Sequence, residues 1–432
     1  MVFQEIANNV DERFLTTRLS SGLTLIVNPK KGFSKTMGIM GVRFGSADNR
    51  LFAGNGADEE RVPDGTAHFL EHKLFEDADG DVSDRFAANG AHCNASTGFT
   101  TTSYMFACTD KVLENLSLLL SFVQNPFFTE ELVKKEQGII GQEIKMYEDD
   151  PGWIVFFNLM ESLYREHPVR NNIAGTVESI AGITPASLER CYRAFYRPGN
   201  MVLVVVGNID PDEVYEVAQK DAARRQPDEA SICTRTVVES DPSPKEQRVE
   251  AEMVVYRPKL LIGFKESEIS NDGHQIELLE LRTQIILDVL LSKSSAQHAA
   301  LYQEELIDDT FSASYSSYGD FGFTLIGGDT NEPQRLKDRL LEVFAKARTQ
   351  GLEKALFERV KNKYMGQYIR MFNSIESTAY SFLGCHFRGI VPSELVEMIA
   401  QVTLDEVEER LRCHFDCERM AASVVLPKAP RG

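Results

Sequence analysis

Ala67-His68-Phe69-Leu70-Glu71-His72-Lys73 is the stretch from which the chain is best read. It has the pattern H-x-x-E-H. On a helix, residues four apart share one face, so His68 and His72 can aim their imidazoles at one metal ion. Glu71 flanks that face and can reach a water there without being a ligand. Two neutral nitrogen donors and a carboxylate are what metal-assisted hydrolysis needs. Two histidines on an ordinary helix are the bland alternative, so the pattern demands a third donor from elsewhere.

A catalytic zinc takes three protein ligands and keeps one position open. Glu136 and Glu143 lie two turns apart on a predicted helix from Thr129 toward Pro151, with Ile140 between them. A carboxylate on an apolar stripe is costly unless it is paired or metal-bound. Glu143 is therefore the expected third ligand, and Glu136 the carboxylate that orients a ligand imidazole. Glu148 and Asp149 are rival ligands. The plain alternative has Glu136 and Glu143 solvated or paired with Lys134, Lys135 or Lys145.

Around this core the chain alternates strand-like and helical patterns. Leu23–Val27 and Met37–Phe44 read as strands, and Asp64 or Thr66 as the cap of the motif helix. Ala91–Ser96 and Thr102–Ala107 read as two more strands. Asp110 is expected to cap the helix that follows. Met201–Gly207 is a nearly continuous apolar strand of the doubly buried kind. Between about Ala218 and Glu250 the apolar pattern thins, which suggests a linker. A second alternation follows, from the β-like run Val254–Phe264 to a last strand at Ala421–Leu426, with no second H-x-x-E-H. The expected architecture is α+β, in two similar halves of mixed sheet and helices. The domains are placed at 1–218 (metal-bearing), 219–250 (linker) and 251–432 (no metal motif).

Composition narrows the partners. The 432 residues hold 46 Lys plus Arg against 65 Asp plus Glu, a formal net charge of −19. No basic stripe is available to neutralise phosphates, which argues against nucleic acid. The cysteines Cys93, Cys108, Cys191, Cys233, Cys385, Cys413 and Cys417 are odd in number and scattered, which points to reduced thiols. Cys413-x-x-x-Cys417 without a second pair is a weak metal signal. Met1-Val2-Phe3-Gln4-Glu5 shows no basic and apolar leader, and no apolar run approaches the ~18 residues of a membrane span. The expected setting is cytoplasmic.

Several segments together resemble peptidase family M16, the group of pitrilysin, insulysin and the mitochondrial processing peptidase. They are Phe44-Gly45-Ser46-Ala47-Asp48, Gly65 through Phe75, Gly90-Ala91 with Asn94-Ala95-Ser96-Thr97, the pair Glu136 and Glu143, and Phe195 through Met201 leading to Val206-Gly207. Length and pattern are similar to the short, two-domain bacterial subfamily that includes the YmfH-like proteins. The resemblance implies one zinc held by His68, His72 and Glu143, with Glu71 as general base and Glu136 supporting the ligands. It implies that Asn94, Ala95, Ser96 and Thr97 form an edge strand to which an extended peptide adds. The implied activity is a zinc metalloendopeptidase, with a zinc-binding structural subunit as the alternative. Active members also supply an Arg and a Tyr from the second half. The corresponding stretch here, Leu301–Asp308, carries neither at those places, although Tyr315 or Tyr318 could serve. The implied assembly is a heterodimer with a related non-zinc chain, with a homodimer as the rival.

Overall fold

A computed structural model describes residues 2–6, 12–52, 59–225, 239 and 241–428. Part of the expected linker, 226–238 and 240, lies outside the described residues, and so does Cys233. The chain forms two compact units. The first comprises Met1–Ile144, Asn172–Arg235 and Ile369–Glu394; the second comprises Lys145–Asn171, Thr236–Tyr368 and Leu395–Gly432.

The first unit is built on a seven-stranded sheet. Its strands are β1 (Gln4–Ile6), β2 (Phe14–Arg18), β3 (Thr24–Pro29), β4 (Thr36–Val42), β9 (His92–Thr97), β10 (Thr102–Cys108) and β11 (Met201–Gly207). Two short hairpins, β5 (Arg50–Phe52) with β6 (Glu59–Arg61) and β7 (Glu76–Asp77) with β8 (Gly80–Asp81), lie between β4 and β9 in the chain. The sheet order is β1-β2-β3-β11-β4-β10-β9. β11 runs parallel to β3 and antiparallel to β4, and every residue of β4, β10 and β11 is buried. The continuous apolar run of β11, Met201 through Val206, suits a strand covered on both faces.

The second unit has a five-stranded sheet of β12 (Arg248–Met253), β13 (Lys259–Lys265), β14 (Ser312–Ser317), β15 (Gly322–Asp329) and β16 (Met420–Pro427). Its order is β12-β16-β13-β15-β14, with β12 parallel to β16 and the other pairs antiparallel. That is the pattern of β3-β11-β4-β10-β9. The two halves repeat one topology, and the first half's edge strand β9 corresponds to β14.

The chain enters each unit more than once. Helix Ile375–Arg388 belongs to the first unit and helix Pro151–Leu163 to the second. Each packs where the central antiparallel strand has a glycine. A Cβ on Gly41 of β4 would stand 2.1 Å from Leu383, and one on Gly263 of β13 would stand 2.8 Å from Leu163. Bare backbone lets each helix approach its sheet, and apolar burial makes the approach favourable.

Some local expectations change. The motif helix is capped by the backbone of Gly65, not by the side chain of Asp64 or Thr66. Asp64 instead accepts from Asn49 Nδ2 at 2.8 Å, and Thr66 donates to Pro63 O at 2.6 Å. Lys111, not Asp110, is the N-cap of the helix Val112–Gln124. The expected strand over 254–264 begins only at Lys259. Val254 and Tyr256 are almost fully exposed, so nothing holds them in a sheet. Pairing with β16 draws 248–253, of which 248–250 were expected as linker, into a strand.

Candidate metal centre

Helix α1 (Thr66–Leu74) is nine residues long, and all of them except His72 are buried. A helix this short is not stable alone; packing of Ala67, Phe69, Leu70 and Leu74 holds it. Its entrance depends on two glycines. Gly65 has φ +91°, and a Cβ there would stand 2.5 Å from Ala174 O. Gly175 has φ +75°, and a Cβ there would stand 2.4 Å from Asp64 O. The left-handed backbone and the tight approach both select glycine.

Numbering the helices in chain order, α2 is Val82–Ala88, α3 is Val112–Gln124 and α4 is Glu130–Glu148. α4 buries Val133, Glu136, Ile140, Gly141 and Ile144. This stripe presents Glu136 and Glu143 to α1. Glu143 Oε1 lies 3.8 Å from His68 Nε2, and its Oε2 lies 3.5 Å from His72 Nε2. One donor atom from each of His68, His72 and Glu143 falls within 4.8 Å of the others. Among the described residues this is the one such group. Glu148, Asp149, Cys413 and Cys417 are exposed and are not part of it.

His72 Nδ1 faces Glu136 Oε1 at 3.1 Å. That contact leaves Nε2, the nitrogen nearer Glu143, for a metal. The other oxygen of Glu136 lies 3.6 Å from Lys73 Nζ. Lys73 is completely buried and also pairs with Glu76, which in turn receives Lys135. Glu136 is thus paired with the buried Lys73, while Lys135 pairs with Glu76. The sequence reading missed Lys73. Its signal was a lysine followed at once by the apolar Leu74-Phe75.

The electrostatics suit metal capture. Burial, followed by the neighbouring His72, lowers the pKa of His68 to about 4. It is neutral near pH 7, as a ligand must be. Burial works against protonation of His72 as well, but the Glu136 hydrogen bond and the surrounding carboxylates outweigh it and raise its pKa. His68 Nδ1 is a buried polar atom with no hydrogen-bond partner. Two imidazoles and one carboxylate are a donor set that fits a catalytic tetrahedral zinc, which takes three protein ligands.

Glu71 is also buried. Burial pushes its carboxyl pKa up, while a hydrogen bond from Thr97 Oγ1 and the nearby His72 ring pull the other way. Thr97 is the last residue of β9, the outermost strand of the sheet beyond β10. Asn94 and Ser96 are exposed there, while Ala95 and Thr97 are half-buried. Asn94 Oδ1 accepts from Ala95 N, and Ser96 Oγ lies 3.1 Å from Ser103 Oγ. The structure thus brings Thr97 of the anticipated substrate strand against Glu71, a pairing that neither segment signals alone.

Elsewhere, Tyr315 is buried in the second unit. Its hydroxyl donates to Glu266 and its ring lies under Arg410 at 5.3 Å, so a structural cluster holds it. Tyr318 stacks on Phe321 at 4.6 Å. His92 is the exposed first residue of β9. His167 is buried, with Nε2 3.2 Å from Asp320 and Nδ1 accepting from Val169 N.

Comparison with known proteins gives one family. The sequence model described as "Insulinase (Peptidase family M16)" matches residues 50–177, and "Peptidase M16 inactive domain" matches residues 182–364. The zinc protease YmfH of Bacillus subtilis strain 168 is 39% identical over 421 residues, covering 97% of this chain and 98% of that one. The crystal structure of an M16-like peptidase from Alicyclobacillus acidocaldarius superposes with a TM-score of 0.94 at 35% identity, covering 98% of this chain and 100% of that one. Pitrilysin, at 16% identity and a TM-score of 0.78, shares the fold; all of this chain matches 47% of pitrilysin.

Proposed function

The chain belongs to peptidase family M16, and on that premise we propose that it is a zinc-dependent metalloendopeptidase cleaving extended peptides or unstructured protein segments. The observation that carries this reading is the convergence of His68, His72 and Glu143, with Glu71 beside them. His68, His72 and Glu143 would hold the zinc, and Glu136 would orient His72. Zinc in that position supplies Lewis acidity toward a carbonyl and toward water. Glu71 accepts a proton from the attacking water and returns it to the leaving amine. β9, the outermost strand of its sheet among the described residues, offers its edge to the main chain of a peptide, a mode of binding that tolerates varied side chains.

The assembly we favour is a pair. Pitrilysin carries about twice the matched length in one chain. Leu301–Asp308 has no Arg, and its tyrosine, Tyr302, is not at the expected place, while Tyr315 is committed to Glu266. A related chain without a metal motif would complete the chamber, with a second copy as the rival. The same observation favours one alternative function, a zinc-binding structural subunit without turnover. The scattered cysteines, with no disulfide among the described residues, fit a cytoplasmic setting, and among the described residues no helix is long and apolar enough to cross a membrane.

Metal analysis of the purified chain should give about one zinc per chain. Glu71→Gln should keep the zinc and abolish cleavage of a mixed peptide set; retained cleavage removes Glu71 as the base. A zinc-loaded wild type that cleaves nothing, with or without a co-purified partner, selects the structural-subunit reading.

A further inference from the structure

Glu71 sits on α1, while the edge offered to a peptide is β9. One side chain joins them, since Thr97 Oγ1 donates a hydrogen bond to Glu71 Oε2. Thr97 ends β9 and pairs across the sheet with Thr102. Thr102 is itself anchored, its buried hydroxyl donating to Phe44 O at 2.8 Å. The hydroxyl that touches Glu71 is therefore carried by a fixed point of the sheet, not by a loop. A glutamate side chain has several rotatable bonds, and the helix backbone restricts only the first of them, so a partner is needed to fix the carboxylate.

We propose that Thr97 is a positioning residue for Glu71: its hydroxyl fixes one carboxylate oxygen, leaving Oε1 to exchange the proton. Because Thr97 is also the terminal residue of the docking strand, the register of a peptide on β9 and the aim of the base are set from one residue. The proposal rests on the protease reading above and adds a residue to its machinery. Serine in place of threonine keeps the hydroxyl. Valine keeps the β-branched shape and deletes the donor, and alanine deletes it without adding bulk.

The test compares full-length, zinc-loaded wild type with Thr97→Val, Thr97→Ala and Thr97→Ser on a mixed set of fluorogenic peptides. Zinc content and thermal midpoint are measured for each. The Val and Ala variants should lose roughly ten- to hundredfold in kcat, the scale of a misplaced catalytic group. Their KM should stay within about twofold and the Ser variant should recover to within about threefold of wild type. A loss confined to KM, or a Ser variant as poor as the Val variant, overturns the proposal. Crystal structures of the zinc-loaded wild type and of whichever hydroxyl-deleted variant folds give a second readout that needs no turnover. Glu71 should hold one rotamer in the wild type and leave it in the variant; an unmoved Glu71 overturns the proposal. A wild type that binds zinc but cleaves nothing, with or without a co-purified partner, sinks the protease reading, and the two crystal structures still decide the role of Thr97.

Discussion

His72 Nδ1 meets Glu136 Oε1 at 3.1 Å, and the other oxygen of the same carboxylate lies 3.6 Å from the buried Lys73 ammonium. Glu136 therefore holds the Nδ1 side of a ligand imidazole with one oxygen and faces the Lys73 ammonium with the other. Removing the carboxylate's charge with Glu136→Gln should weaken zinc binding about 10- to 100-fold, the usual effect of losing a partner behind a ligand. Competition with a chromophoric chelator measures it. Lys73→Met should act in the same direction through Glu136. An unchanged zinc affinity in both variants would remove the chain from Lys73 through Glu136 to His72.

Zinc affinity should fall with acidification in a staged way. Zinc needs neutral imidazoles, so protons compete with it at each histidine. His72, with its raised pKa, takes up its proton first as pH falls, whereas His68 stays neutral down to about 4. Between pH 7.5 and 5.5 the affinity should therefore drop by about one proton's worth, at most roughly tenfold per pH unit. Chelator competition across that range checks it, and a two-proton slope there would show both histidines titrating together. In Glu136→Gln, where the main support of the His72 proton is gone, the same fall should begin at lower pH.

The glycines at the entrance of α1 should be sensitive to one methyl group. Gly65→Ala and Gly175→Ala each force a residue with a side chain into left-handed backbone, at about 1–3 kcal/mol, before the contacts at 2.5 Å and 2.4 Å are counted. Each should lower the thermal midpoint and loosen zinc, because His68 is only three residues beyond Gly65. The two sites press on each other's neighbours, Asp64 and Ala174, so the double variant should lose less than the sum. Fully additive losses would mean that the two turns are independent.

The second unit carries a buried charged cluster whose acid response can be signed. Burial opposes ionisation of Glu266, but the Arg410 guanidinium and the Tyr315 hydroxyl hold its carboxylate well below the usual range. Burial, then the neighbouring Arg410, lowers the pKa of His414 to about 3. The unfolded chain binds a proton at His414 near pH 6.5 and at Glu266 near about 4.3, while the folded chain does so only at lower pH. Stability from both groups is present above those values and is lost as pH falls through the window below them. Urea midpoints at pH 7, 5.5 and 4.5 should therefore decline in that order. Glu266→Gln should cost about 3–5 kcal/mol at pH 7 by leaving Arg410 buried without its carboxylate, and a variant as stable as wild type would show that Arg410 finds another partner.

Much of the centre was legible because its parts are local. His68 and His72 are one helical turn apart, and Glu136 and Glu143 two turns apart, so each pair is oriented by its own backbone. The apolar strands β4, β10 and β11 and the long helix α4 were legible for the same reason. Thr97 was named for its strand, but its hydrogen bond to Glu71 joins segments 26 residues apart. The expected caps at Asp64 and Asp110 failed because capping preference is weak against the backbone geometry that packing imposes at Gly65 and Lys111. Lys73 was given no role from the sequence, and only the enclosure of α1 makes it a buried counter-charge to Glu136.

The sequence by itself determined which side chains could meet a metal and which runs would be helix or strand, since helical and strand periods are properties of neighbouring residues. The tertiary structure decided what those side chains are held by. It placed Glu143 against both histidines, gave Glu136 its buried lysine and set Thr97 on Glu71. It also decided which sheet each of the helices Ile375–Arg388 and Pro151–Leu163 covers. Those outcomes depend on close approach between distant segments, at Gly41 and Gly263 above all, and no local pattern records which distant segment will arrive.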